Sequence, residues 1–127
     1  MKYKPEIVTA WLRSCGFPAP DYEYQHIPGR RFRLDIAWPA EKVGIEVQGG
    51  IHPFPRKRKD GSTVLMPGAH GTTAGIRRDN EKSNLSLIEG WAVLKVEPRD
   101  LCTGETAGML RRVMANAENQ ALTRERQ

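Results

Sequence analysis

Two acidic residues, Asp35 and Glu46, stand in two runs of alternating apolar residues that a short turn joins. Phe32, Leu34, Ile36 and Trp38 alternate with Arg31, Arg33, Asp35 and Ala37; Val43, Ile45 and Val47 alternate with Gly44, Glu46 and Gln48. Period-two alternation is the mark of half-buried strands. With Pro39–Lys42 as the turn, Trp38 pairs with Val43, and the register puts Ile36 opposite Ile45, Leu34 opposite Val47, Arg33 opposite Gln48 and Asp35 opposite Glu46. Asp35, Glu46 and Gln48 then share the face away from the apolar one. Directly opposed residues have Cβ atoms about 4.5–5.5 Å apart, where two carboxylates repel unless a cation or proton lies between them. A divalent metal meets that need. All-oxygen ligation with no His or Cys close by favours Mg²⁺, with Mn²⁺ as a substitute, and such ions keep waters that are polarised for attack on a phosphodiester. The plainer use of the same residues is in surface ion pairs, Asp35 with Arg31 or Arg33 and Glu46 with Lys95.

Cations follow the acidic pair. Arg56, Lys57, Arg58, Lys59, Arg77 and Arg78 form a basic set in which Asp60 is the only acid between Ile51 and Arg78. Alone, a charge run reads as a solvated loop. Beside carboxylates it becomes a wall that draws phosphate to a site that would otherwise repel it. His52 and His70 flank this segment, where an imidazole contacts phosphate, orients water or is simply a polar surface group. Asp79 and Lys82 share a helix face, in the plainer reading as an i,i+3 ion pair. From Arg77 to Asn84 there is no apolar residue, so this part of the helix is expected to overhang a groove and not the core. Hydrolysis of a phosphodiester builds negative charge, and Gln48 orients a water but carries no charge against it. Lys82 and Lys95 are the lysines placed to supply it, and Lys82, which has no packing role in the pattern, is preferred.

The elements that must hold these groups follow from the same patterns. Ile7, Val8, Trp11 and Leu12 recur at helical spacing within Lys4–Ser14, with Pro5 suited to the first turn and Gly16 to the stop. Tyr22, Tyr24 and His26 make a first strand that ends at Pro28-Gly29, and the Asp35 and Glu46 strands follow as a hairpin. The stretch from Gly49 to Gly75 has no sustained period and reads as a long functional loop. A helix is expected over Ala74–Glu89, a short buried strand over Trp91–Val96, and a last helix from Thr103 to about Leu122 with Met109, Leu110, Val113, Met114 and Ala117 inward. The order αβββαβα implies an α/β, more strictly α+β, fold whose last strand lies parallel to one of the first three in a mixed sheet flanked by helices.

The ordered combination Phe32-Arg33-Leu34-Asp35-Ile36-Ala37-Trp38, Ile45-Glu46-Val47-Gln48-Gly49-Gly50, His70, Gly75, Asp79, Glu81-Lys82, Asn84 and Gly90-Trp91-Ala92-Val93-Leu94 resembles the PD-(D/E)xK nuclease superfamily. Within it the chain is most similar to the compact Vsr-like group of very-short-patch repair endonucleases and small phage nucleases. The resemblance covers about the middle two thirds of the chain. It departs from the pattern in three places: no Pro precedes Asp35, Gln48 stands where the motif has lysine, and the zinc-binding cysteines of the repair enzymes are absent. The basic segment reads as an insertion, over about 51–75. The resemblance implies a restriction-endonuclease-like core and a metal-dependent endodeoxyribonuclease cutting duplex or branched DNA. It also implies that Asp35, Glu46 and the Val47 carbonyl bind Mg²⁺, with Glu6 as an accessory metal ligand. Gln48 or Lys82 would position water and stabilise charge, and Arg56 to Lys59, His70, Arg77 and Arg78 would meet DNA. A catalytically inactive DNA-binding module of the same fold is the alternative, and an assembly protein whose basic loop binds an acidic partner is a further one.

Composition bounds these readings. The chain has 127 residues, 39% of them hydrophobic, enough for one domain with a core. Its 20 Lys and Arg against 15 Asp and Glu give a net charge of +5, as expected for a phosphate-rich partner. The mean hydropathy of −0.58 and the lack of a long apolar run or signal-peptide pattern exclude a membrane protein and point to the cytoplasm of a bacterial or phage-infected cell. Cys15 and Cys102 are far apart and form no zinc or disulfide pattern. Nothing in this composition opposes a homodimer.

Overall fold

The hairpin register set by the apolar alternation is observed at its turn end, while the expected pairs Leu34–Val47, Asp35–Glu46 and Arg33–Gln48 are not among the ladder partners. In the computed structural model, which describes residues 2–49, 54–66 and 73–126, Ile36 pairs with Ile45, Ala37 with Gly44 and Trp38 with Val43. The strands are β1 (Asp21–Tyr24), β2 (Leu34–Trp38), β3 (Val43–Val47), β4 (Phe54–Lys57), β5 (Thr63–Met66) and β6 (Ala92–Val96). The helices are α1 (Pro5–Ser14), α2 (Thr73–Ile88) and α3 (Gly104–Arg126), with a 3-10 turn at Pro98–Asp100. A four-stranded mixed sheet runs β1-β2-β3-β6, antiparallel except for the parallel β3–β6 pair. The architecture is therefore mixed α+β, with three helices among the described residues.

Each face of the sheet has its own cover. Val8 and Leu12 of α1 and Ala107 and Leu110 of α3 pack on Ile36, Trp38, Val43, Ile45, Val47 and Val96. On the other face Leu34, Ala37 and Trp91 cluster with Tyr24 and Val93, beside α2. Gly90 closes α2 with a φ of 81°, a left-handed conformation that costs glycine little, while the Trp91 N–H returns to the Ser86 carbonyl at 2.9 Å. Thr103 caps α3 through its Oγ1, 3.3 Å from the Thr106 N–H. That helix runs past the expected end to Arg126, and Met109, expected inward, is 44% exposed.

Two further expectations need correction. Leu34 does not share a face with Ile36; it joins Ala37 and Trp91 on the other side. Its Cδ1 would lie only 2.5 Å from a Cβ on Gly44, so the absence of a side chain at Gly44 is what admits it. Secondly, the described part of the supposed loop is a two-stranded antiparallel ribbon, β4–β5, with Phe54 opposite Met66 and Lys57 opposite Thr63. Four consecutive cations and Pro55 hid its alternation, although Asp60-Gly61 is a hairpin signal in its own right.

Candidate active site

The face switch at Leu34 changes what Asp35 does. The Asp35 carboxylate enters the β2–β3 ladder, and its Oδ2 accepts the Val47 backbone N–H at 2.7 Å. The Tyr3 hydroxyl donates to the Asp35 carbonyl at 3.1 Å, and burial, then the Asp35 charge, raises the pKa of that phenol. Lys2 Nζ donates to the Val47 carbonyl at 2.6 Å and lies 4.0 Å from Asp35 Oδ2. One ammonium thus sits against both a carboxylate and a carbonyl oxygen.

Glu46 is on the neighbouring position of β3, with only 18% of its side chain exposed. Burial pushes its carboxyl above the ordinary range and the nearby Asp35 charge adds to this, against the hydrogen bond and charge of Lys82. Lys82 Nζ reaches from α2 to donate to both Glu46 Oε1 and the Arg33 carbonyl. The ion pair of Glu46 is therefore with Lys82, and Lys95 Nζ instead donates to Ser83 Oγ at 3.0 Å.

A buried pair of side chains supports the Lys82 turn from below. Ser86 Oγ donates to the Lys82 carbonyl at 2.7 Å and lies 2.7 Å from His26 Nε2. Because the single Ser86 hydroxyl proton is committed to that carbonyl, His26 Nε2 must be the protonated nitrogen. Its Nδ1 is buried without a hydrogen-bond partner, and its ring meets Trp91 edge-on at 5.5 Å. Burial, helped by the Lys82 charge, lowers the His26 pKa to about 4.

Glu46, Lys82, Ser86 and Trp91 border an open pocket of about 310 Å³. Glu46, Gln48, Asp79, Lys82, Ser83 and Lys95 give it a polar wall over a floor of Leu34, Trp91 and Val93. The expectation that the apolar-free part of α2 overhangs a groove matches this, since Ser86 is the one described α2 residue classed as buried. Glu46, Gln48 and Lys82 are brought together on the pocket wall, with Gln48 N–H bonded to the Val96 carbonyl at 2.7 Å beside β6, whereas Asp35 is not among the residues that line it.

Other expected residues stand apart. Glu6 is exposed on α1, and no group of three or more His, Cys, Asp or Glu side chains placed to hold a metal occurs among the described residues. Arg77 and Arg78 are exposed on α2, and Arg56, Lys57, Arg58 and Lys59 are exposed on the ribbon. His52 and His70 lie outside the described residues. Sequence patterns missed Lys2, Tyr3 and the His26–Ser86 pair. Neither lysine nor tyrosine before α1 carries a periodic signal, and the His26 contact joins residues 60 apart in the chain.

The donor chemistry suits a hard divalent cation. Two carboxylates and the Val47 carbonyl are all oxygen donors, and the Lys2 ammonium against two of them marks a place that attracts positive charge. Water would complete such a shell. The described residues include no helix long and apolar enough to cross a membrane, and both cysteines are free thiols. No protein-family model, curated protein or solved structure matches the chain.

Proposed function

We propose that the chain is a metal-dependent endonuclease domain of the PD-(D/E)xK kind, with a restriction-endonuclease-like core that hydrolyses phosphodiester bonds in DNA. The observation that carries this reading is the lysine on α2. The Glu46-Val47-Gln48 motif lacks its cation, and Lys82 places an ammonium on Glu46 from another element. Asp35, Glu46 and the Val47 carbonyl would hold Mg²⁺ or Mn²⁺, which supplies charge stabilisation and an activated water when bound. Gln48, on the pocket wall, orients water; Lys82 offsets the charge that develops on the non-bridging oxygens. The exposed cations of the ribbon and of Arg77 and Arg78 draw phosphate toward the acidic centre.

The test is incubation of supercoiled plasmid with the wild-type chain and Glu46→Ala, in Mg²⁺, Mn²⁺ or EDTA. Nicking or linearisation that needs the metal and Glu46 supports the reading. Metal binding without any cleavage assigns the chain to the non-catalytic DNA-binding alternative, and absence of both removes the nuclease reading.

A further inference from the structure

The β4–β5 ribbon has a construction that its charge alone does not require. Its tip is closed by the Arg58 N–H on the Ser62 carbonyl at 2.8 Å and the Gly61 N–H on the Arg58 carbonyl at 3.0 Å. Asp60 Oδ1 accepts from the Ser62 N–H at 2.9 Å and from its hydroxyl at 2.6 Å, so the one acid of the tip is bound within the turn. Gly61, with a φ of 89°, makes this closure possible. The register pairs Arg56 with Val64 and Lys57 with Thr63, which sets Arg56 and Lys57 on opposite faces. Residues Pro55 to Thr63 are all exposed, Val64 and Met66 are half-buried, and no residue from Pro55 to Met66 belongs to the buried core. A lone two-stranded hairpin is marginally stable in water, and one with cations on both faces is suited to being gripped, and held in shape, from both sides.

The geometry points to duplex DNA of B form as the occupant, with the ribbon entering the major groove tip first. This deepens the nuclease reading by stating how a duplex substrate is held beside that site. A major groove about 12 Å wide admits a two-stranded β-ribbon, whereas a minor groove about 6 Å wide is too narrow for one. Entering by the tip, Arg56 and Lys57 face the two phosphate walls while Arg58 and Lys59 reach inward. The deep, narrow major groove of A-form RNA excludes the same insertion. Phe54, at the base of the ribbon opposite Met66, is its one aromatic residue, so the exposed stretch from Pro55 to Thr63 offers single strands no stacking platform. Six residue steps separate Gln48 from Phe54, a span of at most about 20 Å. Ribbon and pocket therefore reach one duplex within about one helical turn, roughly 34 Å.

Binding is measured in EDTA, by fluorescence anisotropy, with a duplex DNA, the RNA duplex of the same sequence and the DNA single strand. The expected result is at least tenfold tighter binding of duplex DNA than of either competitor. Replacing Arg56, Lys57, Arg58 and Lys59 together by Gln weakens duplex DNA binding at least tenfold and lowers the log–log salt slope by about 3–4. Dimethyl sulfate footprinting shows guanine N7 protection in the major groove that this variant loses. Asp60→Ala keeps all four cations but loosens the turn; it too loses N7 protection, whereas a merely solvated charge run would bind as well or better. Circular dichroism and melting show that both variants keep the fold. Equal binding of RNA or of single strands, protection at adenine N3 in place of N7, or unchanged affinity of the quadruple variant overturns the proposal. So does preference for an acidic protein over DNA. None of these measurements needs cleavage: a chain that binds in this way but never nicks plasmid keeps the ribbon proposal and loses the nuclease one.

Discussion

Lys82 on α2 and Glu46 on β3, 36 residues apart in the chain, share a hydrogen bond in which the ammonium donates to Oε1. Both side chains are less than one-fifth exposed, at 19% and 18%. At that burial neither is a loose surface partner: removing one leaves the other short of solvation. The pair thus joins the helix to the strand at the mouth of the pocket.

If Lys82 offsets charge in the transition state, Lys82→Ala lowers the plasmid cleavage rate at least tenfold, about 1.4 kcal/mol, while Mn²⁺ binding persists. Lys95→Ala has the smaller effect, because its ammonium is turned to Ser83. Single-turnover cleavage of the two variants checks this. Wild-type rates for Lys82→Ala beside an inactive Lys95→Ala or Gln48→Ala would transfer the role to one of those residues.

A cation bound only by the folded chain stabilises it by mass action, by about 2.7 kcal/mol at a hundred times Kd. Saturating Mn²⁺ is therefore expected to raise the wild-type Tm, and Asp35→Asn to remove most of the rise. An unchanged Tm in the wild type counts against the metal site.

Lys2 competes for the same oxygens. Its 2.6 Å bond to the Val47 carbonyl must give way before another cation uses that atom. Lys2→Ala is expected to tighten Mn²⁺ binding by up to about tenfold, the worth of one charge-assisted hydrogen bond, as measured by calorimetry. Weaker binding would mean that Lys2 organises the site instead of filling it.

His26 gives the fold a pH dependence. Its folded-state pKa of about 4 lies below its ordinary value of 6.5, so between these values the unfolded chain binds more protons. The stability contributed by the neutral ring is complete above about pH 6.5 and is lost as the pH falls toward about 4, on the order of 3 kcal/mol. His26→Phe keeps an aromatic ring against Trp91 without a titrating group. Urea unfolding from pH 7 to pH 4 should therefore show the wild type losing stability relative to the variant, and parallel curves would refute the assignment.

Gly44 is fixed by close packing. A Cβ there would lie 2.5 Å from Leu34 Cδ1 and 3.2 Å from the Ile36 carbonyl oxygen. The leucine end can move, but the backbone oxygen cannot easily do so. Gly44→Ala is expected to cost about 1–3 kcal/mol in denaturant unfolding, and a neutral result would show that β2 yields at no cost.

Local periodicity is what made much of this legible. The alternation around Asp35 and Glu46 determined the hairpin and its register at Ile36, Ala37 and Trp38 against Ile45, Gly44 and Val43, because a one-residue slip would have turned every apolar residue outward. The apolar-free stretch from Arg77 to Asn84 likewise placed α2 beside a groove, and with no lysine at the Gln48 position Lys82 stood out as the cation free of a packing role. The tertiary structure alone decided the rest. Leu34 left its expected face because Gly44 opened space for it, which freed Asp35 to accept the Val47 N–H. Lys2 reached the Val47 carbonyl and His26 reached Ser86 across chain separations of 45 and 60 residues. Periodicity records which side of its own element a residue faces. It carries no record of which distant group will be waiting there once the elements have packed.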